Sequence, residues 1–469
     1  MKKIHHNFIT KLSYSAKDLG LTKVKMIFIT IILLCLLIVD INQNIVLNLI
    51  LIAGNIAIFL NQIFKIFLTI GYNQKLNNHA VSDYKLITKE ELPLYTILVP
   101  LYKESRIAKQ LIENLTNLNY PKEKLQILLL CEEDDKETLQ AFQKFTIPKF
   151  FEILIIPHSL PKTKPKACNY GLQHAQGKYI TIYDADDKPD INQLYDVVRK
   201  FTELPQDYIC IQAKLNYYNR TENLLTKLFA IEYYHWFEMM LPSLYKYGMI
   251  IPLGGSSNHF ITAKLCEIGG WDAYNVTEDA ELGLRIGVMN YKTYLLDSVT
   301  LEESPLTIKS WIVQRSRWIK GYMKTYILYL KDIKRKSTFS MKENIGFHFF
   351  VGLPMFTFVI LPFIPFIIFF DLGISSSSFV NLKIYNLNAT LGWINLVLMI
   401  LLPIVIAILV FRKSKWQLEI FTIMSYPFYW WLHTISSYRA VYHLFKMTYY
   451  WDKTEHGLAQ IKNNLYKEK

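Results

Sequence analysis

The stretch YITIYDADD (residues 179–187) sets the reading of the whole chain. Tyr179 to Tyr183 form a short apolar, aromatic and β-branched run, the signature of a buried strand. The run stops on three carboxylates, Asp184, Asp186 and Asp187. An isolated DxD is more often a solvated turn than a site, because short motifs recur by chance. Its place after an apolar strand reverses that balance, since open parallel sheets bind ligands beyond the carboxyl ends of their strands.

Working outward, the pattern repeats. YTILVPL (Tyr95–Leu101) reads as a strand that runs into Lys103, Glu104 and Ser105. LQILLL (residues 125–130) runs into Glu132, Glu133, Asp134 and Asp135, and Phe151–Ile156 (FEILII) is a further strand. Between the first two, Ile107, Leu111, Leu115 and Leu118 recur at helical spacing. Strand-plus-helix units of roughly 30 residues suit right-handed parallel crossovers. Residues 84–330 are therefore expected to form an α/β domain, a mostly parallel sheet with helices on both faces. Acidic groups from three strand ends would repel one another at one rim. A hard divalent cation, Mg2+ or Mn2+, held by one or two carboxylates and a diphosphate, is the simplest compensation.

Composition places this domain beside a membrane. Of 469 residues, 51% are apolar and only 19% charged, below the roughly 25% of a soluble domain. Disorder is excluded, because it needs low hydrophobicity. Residues 26–39 and 41–64 carry no charge and read as a spanning hairpin with its tip at 40–44. Apolar runs return at 347–370, 391–411 and, less cleanly, 420–444, where His433, Arg439 and His443 leave a span and an interfacial helix both open. The organisation expected is a leader and hairpin over 1–83, the α/β domain over 84–330, and a membrane region with a basic tail over 331–469. Lys2, Lys3, Lys11, Lys17, Lys23 and Lys25 precede the first run, Lys331, Lys334, Arg335 and Lys336 the third, and Arg412, Lys413 and Lys415 follow the fourth. By the positive-inside rule these groups and the domain face the cytoplasm of a multi-pass protein of the cell (inner) membrane. The net charge of +13 reads as attraction to the anionic headgroups of the lipid bilayer. No nucleic-acid motif accompanies it. The five cysteines are scattered without a CxxC pair, which excludes a zinc ribbon.

Further motifs follow in order: KPKACNYGL (Lys164–Leu172), Gly254-Gly255-Ser256-Ser257-Asn258, Thr277-Glu278-Asp279 and Gln314-Arg315-Ser316-Arg317-Trp318. Lys164 and Lys166 at a helix start oppose its dipole unless an anion binds there. Thr277 reads as the N-cap of a helix that Glu278 and Asp279 open. Ser304 and Pro305 read as N-cap and N1 of a helix carrying Trp311, Gln314, Arg317 and Trp318 on one face. His235 reads as a surface histidine on an interfacial helix.

Together with the strand-end acids, these motifs resemble a membrane-embedded family 2 glycosyltransferase with the GT-A fold, in the branch of bacterial cellulose synthase and related exopolysaccharide synthases. The resemblance implies a Rossmann-like, mostly parallel GT-A sheet with flanking transmembrane helices. It implies a nucleotide diphospho-sugar donor, UDP- or GDP-linked, and an inverting hexosyl transfer that gives a β-linkage. By the same resemblance Glu104 and Glu133 contact the nucleoside, with Glu132 one position away as the alternative. Lys164, Gln314 and Arg317 approach the diphosphate, and Asp184 and Asp186 hold sugar and metal. Asp279, with Glu278 beside it, serves as general base, while Gly255, Ser256 and Trp318 face the acceptor. Two acceptors stay open, a growing glycan or a single membrane lipid, as does an inactive scaffold of the same fold. Four or five spans are few for a closed channel without an oligomer or partner subunit. WDKTEHG (residues 451–457) resembles a stretch near the C-terminus of exopolysaccharide synthases in that branch, and no role is assigned to it.

Overall fold

The computed structural model describes residues 15–19, 45–71, 88–333, 339–360, 382–450, 453 and 457–459. The four apolar runs expected as strands form Tyr95–Leu101 (β1), Leu125–Glu132 (β2), Phe151–Ile156 (β3) and Tyr179–Ile182 (β4). They are joined by Lys188–Pro189 (β5), Tyr208–Tyr217 (β6), Asn258–Ile261 (β7) and Lys292–Glu302 (β8) in one sheet of order β3-β2-β1-β4-β7-β6-β8-β5. β1 pairs in parallel with β2 and β4, β2 with β3, and β6 with β8, while β7 runs antiparallel between β4 and β6. The mostly parallel expectation holds, with β5 and β7 as its antiparallel members.

The helices of the domain are Ala108–Thr116 (α2), Lys136–Gln143 (α3), Lys164–Leu172 (α4), Gln193–Glu203 (α5), Leu224–His235 (α6), Leu241–Lys246 (α7), Thr262–Glu267 (α8), Glu278–Val288 (α9) and Ile308–Leu328 (α10). Ile45–Gly71 (α1) precedes them. Met341–Phe347 (α11), Leu353–Ile360 (α12), Leu382–Ser414 (α13) and Ile420–Lys446 (α14) follow.

The strand alternation fills both faces of the sheet. Leu98, Leu128, Leu130 and Ile182 pack with Ala167 and Trp271 on one face. Ile97, Val99 and Leu129 pack with Leu111, Leu115 and Val197 on the other. Each such side chain contributes about 1.5–3 kcal/mol by leaving water. Gly171 lets α4 close on the sheet, for a Cβ there would lie 2.9 Å from Leu98 and Leu130. That approach sets the first residue of α4, Lys164, at the rim. A third core joins α6 and α10 to the helices beyond the domain through Phe229, Trp311, Ile406 and Tyr429.

Two stretches, Leu51–Gly71 and Leu387–Ser414, are long and apolar enough to cross a membrane. α14 spans the residues expected at 420–444 but is not apolar enough to pass the same test. Its outer face nevertheless exposes Phe421, Met424, Phe428, Trp431 and Ile435. The apolar run at 26–39, its tip at 40–44 and residues 361–370 lie outside the described residues.

Two local expectations are corrected. The helix expected from Ser304 starts at Ile308, because Thr307 caps it by accepting the Ser310 N–H at 3.2 Å. Ser304 instead donates its N–H to Asn219 at 2.9 Å. His235 is no surface residue: it is 2% exposed and its Nε2 lies 2.8 Å from Thr69 Oγ1 of α1.

Candidate active site

The carboxyl ends of β1, β2, β4 and β8 and the starts of α4 and α9 surround a cavity of about 1360 Å3, which α10 closes from the side. Glu104, Lys164, Asp184, Asp186, Gly255, Glu278, Asp279, Gln314, Arg317 and Trp318 all line it. Residues separated by more than two hundred positions therefore share one wall.

Two residues expected in the site lie off the cavity wall. Glu133 is exposed, its carboxylate accepts the His158 N–H at 3.0 Å, and it is not on the cavity wall. β2 extends to Glu132, and strand alternation turns Glu132 inward where Glu133 turns out. Glu132 lines the cavity and forms a buried ion pair with Lys166 at 2.8 Å. Ser256 is fully buried behind Gly255, facing Asp187 rather than the cavity.

The DxD loop is braced from within. The Asp187 carboxylate accepts the Asp184 N–H at 2.8 Å. Asp187 is itself fully buried and off the cavity wall, so it shapes the loop. Burial, then Asp184 and Asp186, hold its carboxyl well above the usual range. Asp186 Oδ2 accepts the Glu303 N–H at 2.8 Å, which ties the loop to the end of β8. Glu302, its neighbour, lines the cavity, and burial followed by the nearby Asp187 and Asp186 charges pushes its pKa up strongly.

Lys164 reaches across the rim. Its ammonium pairs with Asp184 and donates to the Gly255 carbonyl at 2.7 Å. Thr163 caps α4 by accepting the Lys166 N–H at 3.4 Å, and Pro165 sits in its first turn. α9 is fixed by a buried pair within it, Arg285 to Glu281 at 2.6 Å, with Arg285 also donating to the carbonyls of Ile268 and Gly270. The helix begins at Glu278 as expected, although the Thr277 hydroxyl makes no capping bond. Thr277 packs instead on Gly321 of α10, where a Cβ would come within 2.2 Å of its hydroxyl. Gly255 faces α9 less tightly: a Cβ on it would stand 3.5 Å from Asp279 Oδ2, an ordinary van der Waals contact.

Glu278 and Asp279 titrate together. Burial, then the Asp279 charge, pushes Glu278 up to about 8. Burial pushes Asp279 up to about 6 against the opposing Ala280 N–H, which its own carboxylate accepts at 2.8 Å. At neutral pH the pair thus offers one basic carboxylate beside one proton-retaining acid.

The donor set suits a hard cation shared with a ligand. Asp184 and Asp186 both line the cavity, and carboxylate oxygens are the ligands such a cation takes. Among the described residues no three His, Cys, Asp or Glu side chains close on one point. Two carboxylates alone would hold Mg2+ or Mn2+ only together with a ligand's phosphates.

The sequence did not mark several lining groups. Glu302, Glu232 of α6 and Tyr322 of α10 line the cavity. Lys453, from the unassigned C-terminal motif, pairs with Glu104 at 2.6 Å. Beyond it the N–H groups of Gly457, Leu458 and Ala459 donate to the Glu303 carboxylate at 2.6–2.8 Å.

The site residues expected from the sequence, Glu104 to Trp318, lie within residues 93–321, which match the family model described as "Glycosyltransferase like family 2". These residues are thus similar to that family, and they carry the mostly parallel sheet described above. The chain is 27% identical over 385 residues to the probable glycosyltransferase YdaM of Bacillus subtilis (strain 168), covering 78% of this chain and 87% of that protein. Its fold is also that of the mannosyltransferase PcManGT from Pyrobaculum calidifontis, solved in complex with GDP-Man and Mn2+. There the TM-score is 0.53 at 15% identity, over 84% of this chain and 99% of the other.

Proposed function

We propose that the chain is an inverting glycosyltransferase that moves a hexose from a UDP- or GDP-linked sugar onto a growing polysaccharide at the membrane. The observation that carries this reading is the meeting of Asp184, Asp186, Lys164, Glu278, Asp279 and the Gln314-Arg317-Trp318 face on one cavity. The donor diphosphate lies against Lys164 and Arg317, whose positive charges favour its departure, with Gln314 as a neutral hydrogen-bond donor beside them. When bound at Asp184 and Asp186, Mg2+ or Mn2+ supplies further positive charge to that leaving group. Glu104 and Glu132 flank the nucleoside. Trp318 and the Gly255 backbone face the acceptor sugar.

Asp279 takes the proton of the acceptor hydroxyl as its oxygen attacks the anomeric carbon. The bond to the nucleoside diphosphate breaks on the opposite side, so an α-linked donor gives a β-linked product without a covalent enzyme intermediate. Asp279 suits the base role better than Glu278, because its pKa of about 6 leaves it ionised at neutral pH.

The two apolar helices support a seat at the membrane, and the cytoplasmic, multi-pass arrangement in the inner membrane is part of this proposal. A lipid-borne acceptor is the second reading. Tyr233, Trp236 and Phe237 favour it, since they add an apolar wall to the cavity near Trp318. Product analysis separates the two. Labelled UDP- and GDP-sugars are supplied with Mn2+ to the full-length protein in native-lipid nanodiscs. A ladder of water-soluble, β-linked oligomers supports the polymer; a single sugar in the organic phase supports the lipid. An α-linked product would overturn the inverting mechanism.

A further inference from the structure

Beside Trp318 lies an ion pair that the reaction above does not use. Arg315 Nη2 donates to Glu232 Oε2 at 2.8 Å, with the two side chains only 12% and 10% exposed. Trp311, Arg315 and Trp318 sit four and three positions apart, so they share one face of α10. The guanidinium carbon lies 4.6 Å from the Trp318 ring centre, 4.9 Å from Phe229 and 5.2 Å from Trp311. A planar cation among three rings has little freedom, and its charge favours their faces.

Glu232 is fixed in turn by the C-terminal helix. It accepts the Tyr429 hydroxyl at 2.5 Å, and that hydroxyl accepts the Trp311 indole N–H at 3.1 Å. His433 Nε2 stands 3.4 Å from the other carboxylate oxygen. Trp318, packed by Arg315, Phe229 and Tyr233, still faces the cavity. A stacking platform works only if its plane is held when the sugar arrives, since any tilt of the indole moves the acceptor hydroxyl relative to the base.

We propose that Arg315, clamped by Glu232, is a positioning residue that fixes the indole plane of Trp318 against the acceptor sugar, and that Tyr429 of α14 sets this clamp from the membrane side. The proposal rests on the acceptor role given to Trp318 above, and its first readout needs no turnover. The full-length protein is labelled with 5-fluorotryptophan, and the Trp318 fluorine resonance is assigned by its loss in Trp318→Phe. Arg315→Lys and Glu232→Gln are expected to shift that resonance and broaden it at least twofold. UDP and GDP, titrated with Mn2+, should bind within twofold of wild type. With whichever UDP- or GDP-sugar the wild type turns over, hydrolysis to water persists while transfer falls about tenfold or more, mainly through the KM for acceptor. Tyr429→Phe removes one hydroxyl, preserves the buried charges, and should move the resonance in the same direction by less. It serves as the decisive variant if the other two fail to fold. The proposal is overturned if the resonance is unchanged in every folded variant, or if nucleotide binding and hydrolysis fall in step with transfer. If wild type turns over no donor, the proposed function fails, while the resonance still decides the clamp.

Discussion

Asp279 carries the proton in this account, and its surroundings explain why an ordinary carboxylate suffices. Burial raises it to about 6, and Glu278 beside it to about 8. Asp279→Asn keeps the shape but cannot accept a proton. Transfer should fall by at least about 100-fold, the scale of a lost general base, while UDP or GDP affinity measured by calorimetry stays within a few fold. The same carboxylate gives the pH dependence its sign. Below about 6 Asp279 is protonated and inactive as a base, so kcat should rise with pH through that value and then level. A rate already flat from pH 5 to 8 would contradict the assignment. At this scale the sequence revealed groups that sit in recognisable strings, such as Asp184, Asp186 and Asp279. It missed groups whose meaning is purely spatial. Lys453 meets Glu104 across 349 positions, and Glu302 closes a strand that reads as ordinary. Of the alternatives Glu132 and Glu133, it is Glu132 that lines the cavity, because β2 runs through it and alternation decides which acid turns inward.

At the scale of elements, two close contacts hold the proposed catalytic groups together. α10 meets α9 where Gly321 lies under Thr277, next to Glu278 and Asp279. Gly321→Ala puts a Cβ 2.2 Å from the Thr277 hydroxyl. It should lower stability by about 1–3 kcal/mol, the usual cost of overpacking, and reduce transfer more than nucleotide binding. Chemical denaturation and calorimetry check the two halves. The buried Lys166–Glu132 pair ties α4 to the end of β2. Lys166→Met strands a buried carboxylate and should cost about 3–5 kcal/mol, read as a lower denaturation midpoint. Strand positions were legible because apolar runs of that length have one physical outcome at a buried sheet. The start of α10 was less so: Ser304 and Pro305 have the chemistry of a helix start, but Ser304 binds Asn219 and Thr307 wins the cap.

For the molecule as a whole, the sheet brings acids to one rim, α10 carries the proposed aromatic platform, and the C-terminal helix α14 packs behind it through Tyr429. α14 shows how tertiary packing escapes a hydropathy reading. Its inner face is polar because it meets Glu232 and Trp311, while its outer face exposes Phe421, Phe428 and Trp431. Averaging over the helix hides both facts. Charge at the rim leads to a prediction about metal. Exhaustive chelation should abolish transfer and Mn2+ or Mg2+ restore it, and Asp184→Asn together with Asp186→Asn should weaken Mn2+-dependent UDP or GDP binding at least tenfold. Full activity in chelator would remove the cation from the mechanism.

The most direct measurement compares purified wild-type protein and Asp279→Asn across a panel of labelled UDP- and GDP-sugars with Mn2+, following nucleotide release and label transfer together. The account predicts that at least one donor gives both signals with wild type, and that Asp279→Asn loses transfer while still binding the nucleotide. Equal behaviour of the two proteins, or no transfer from any donor, would contradict it.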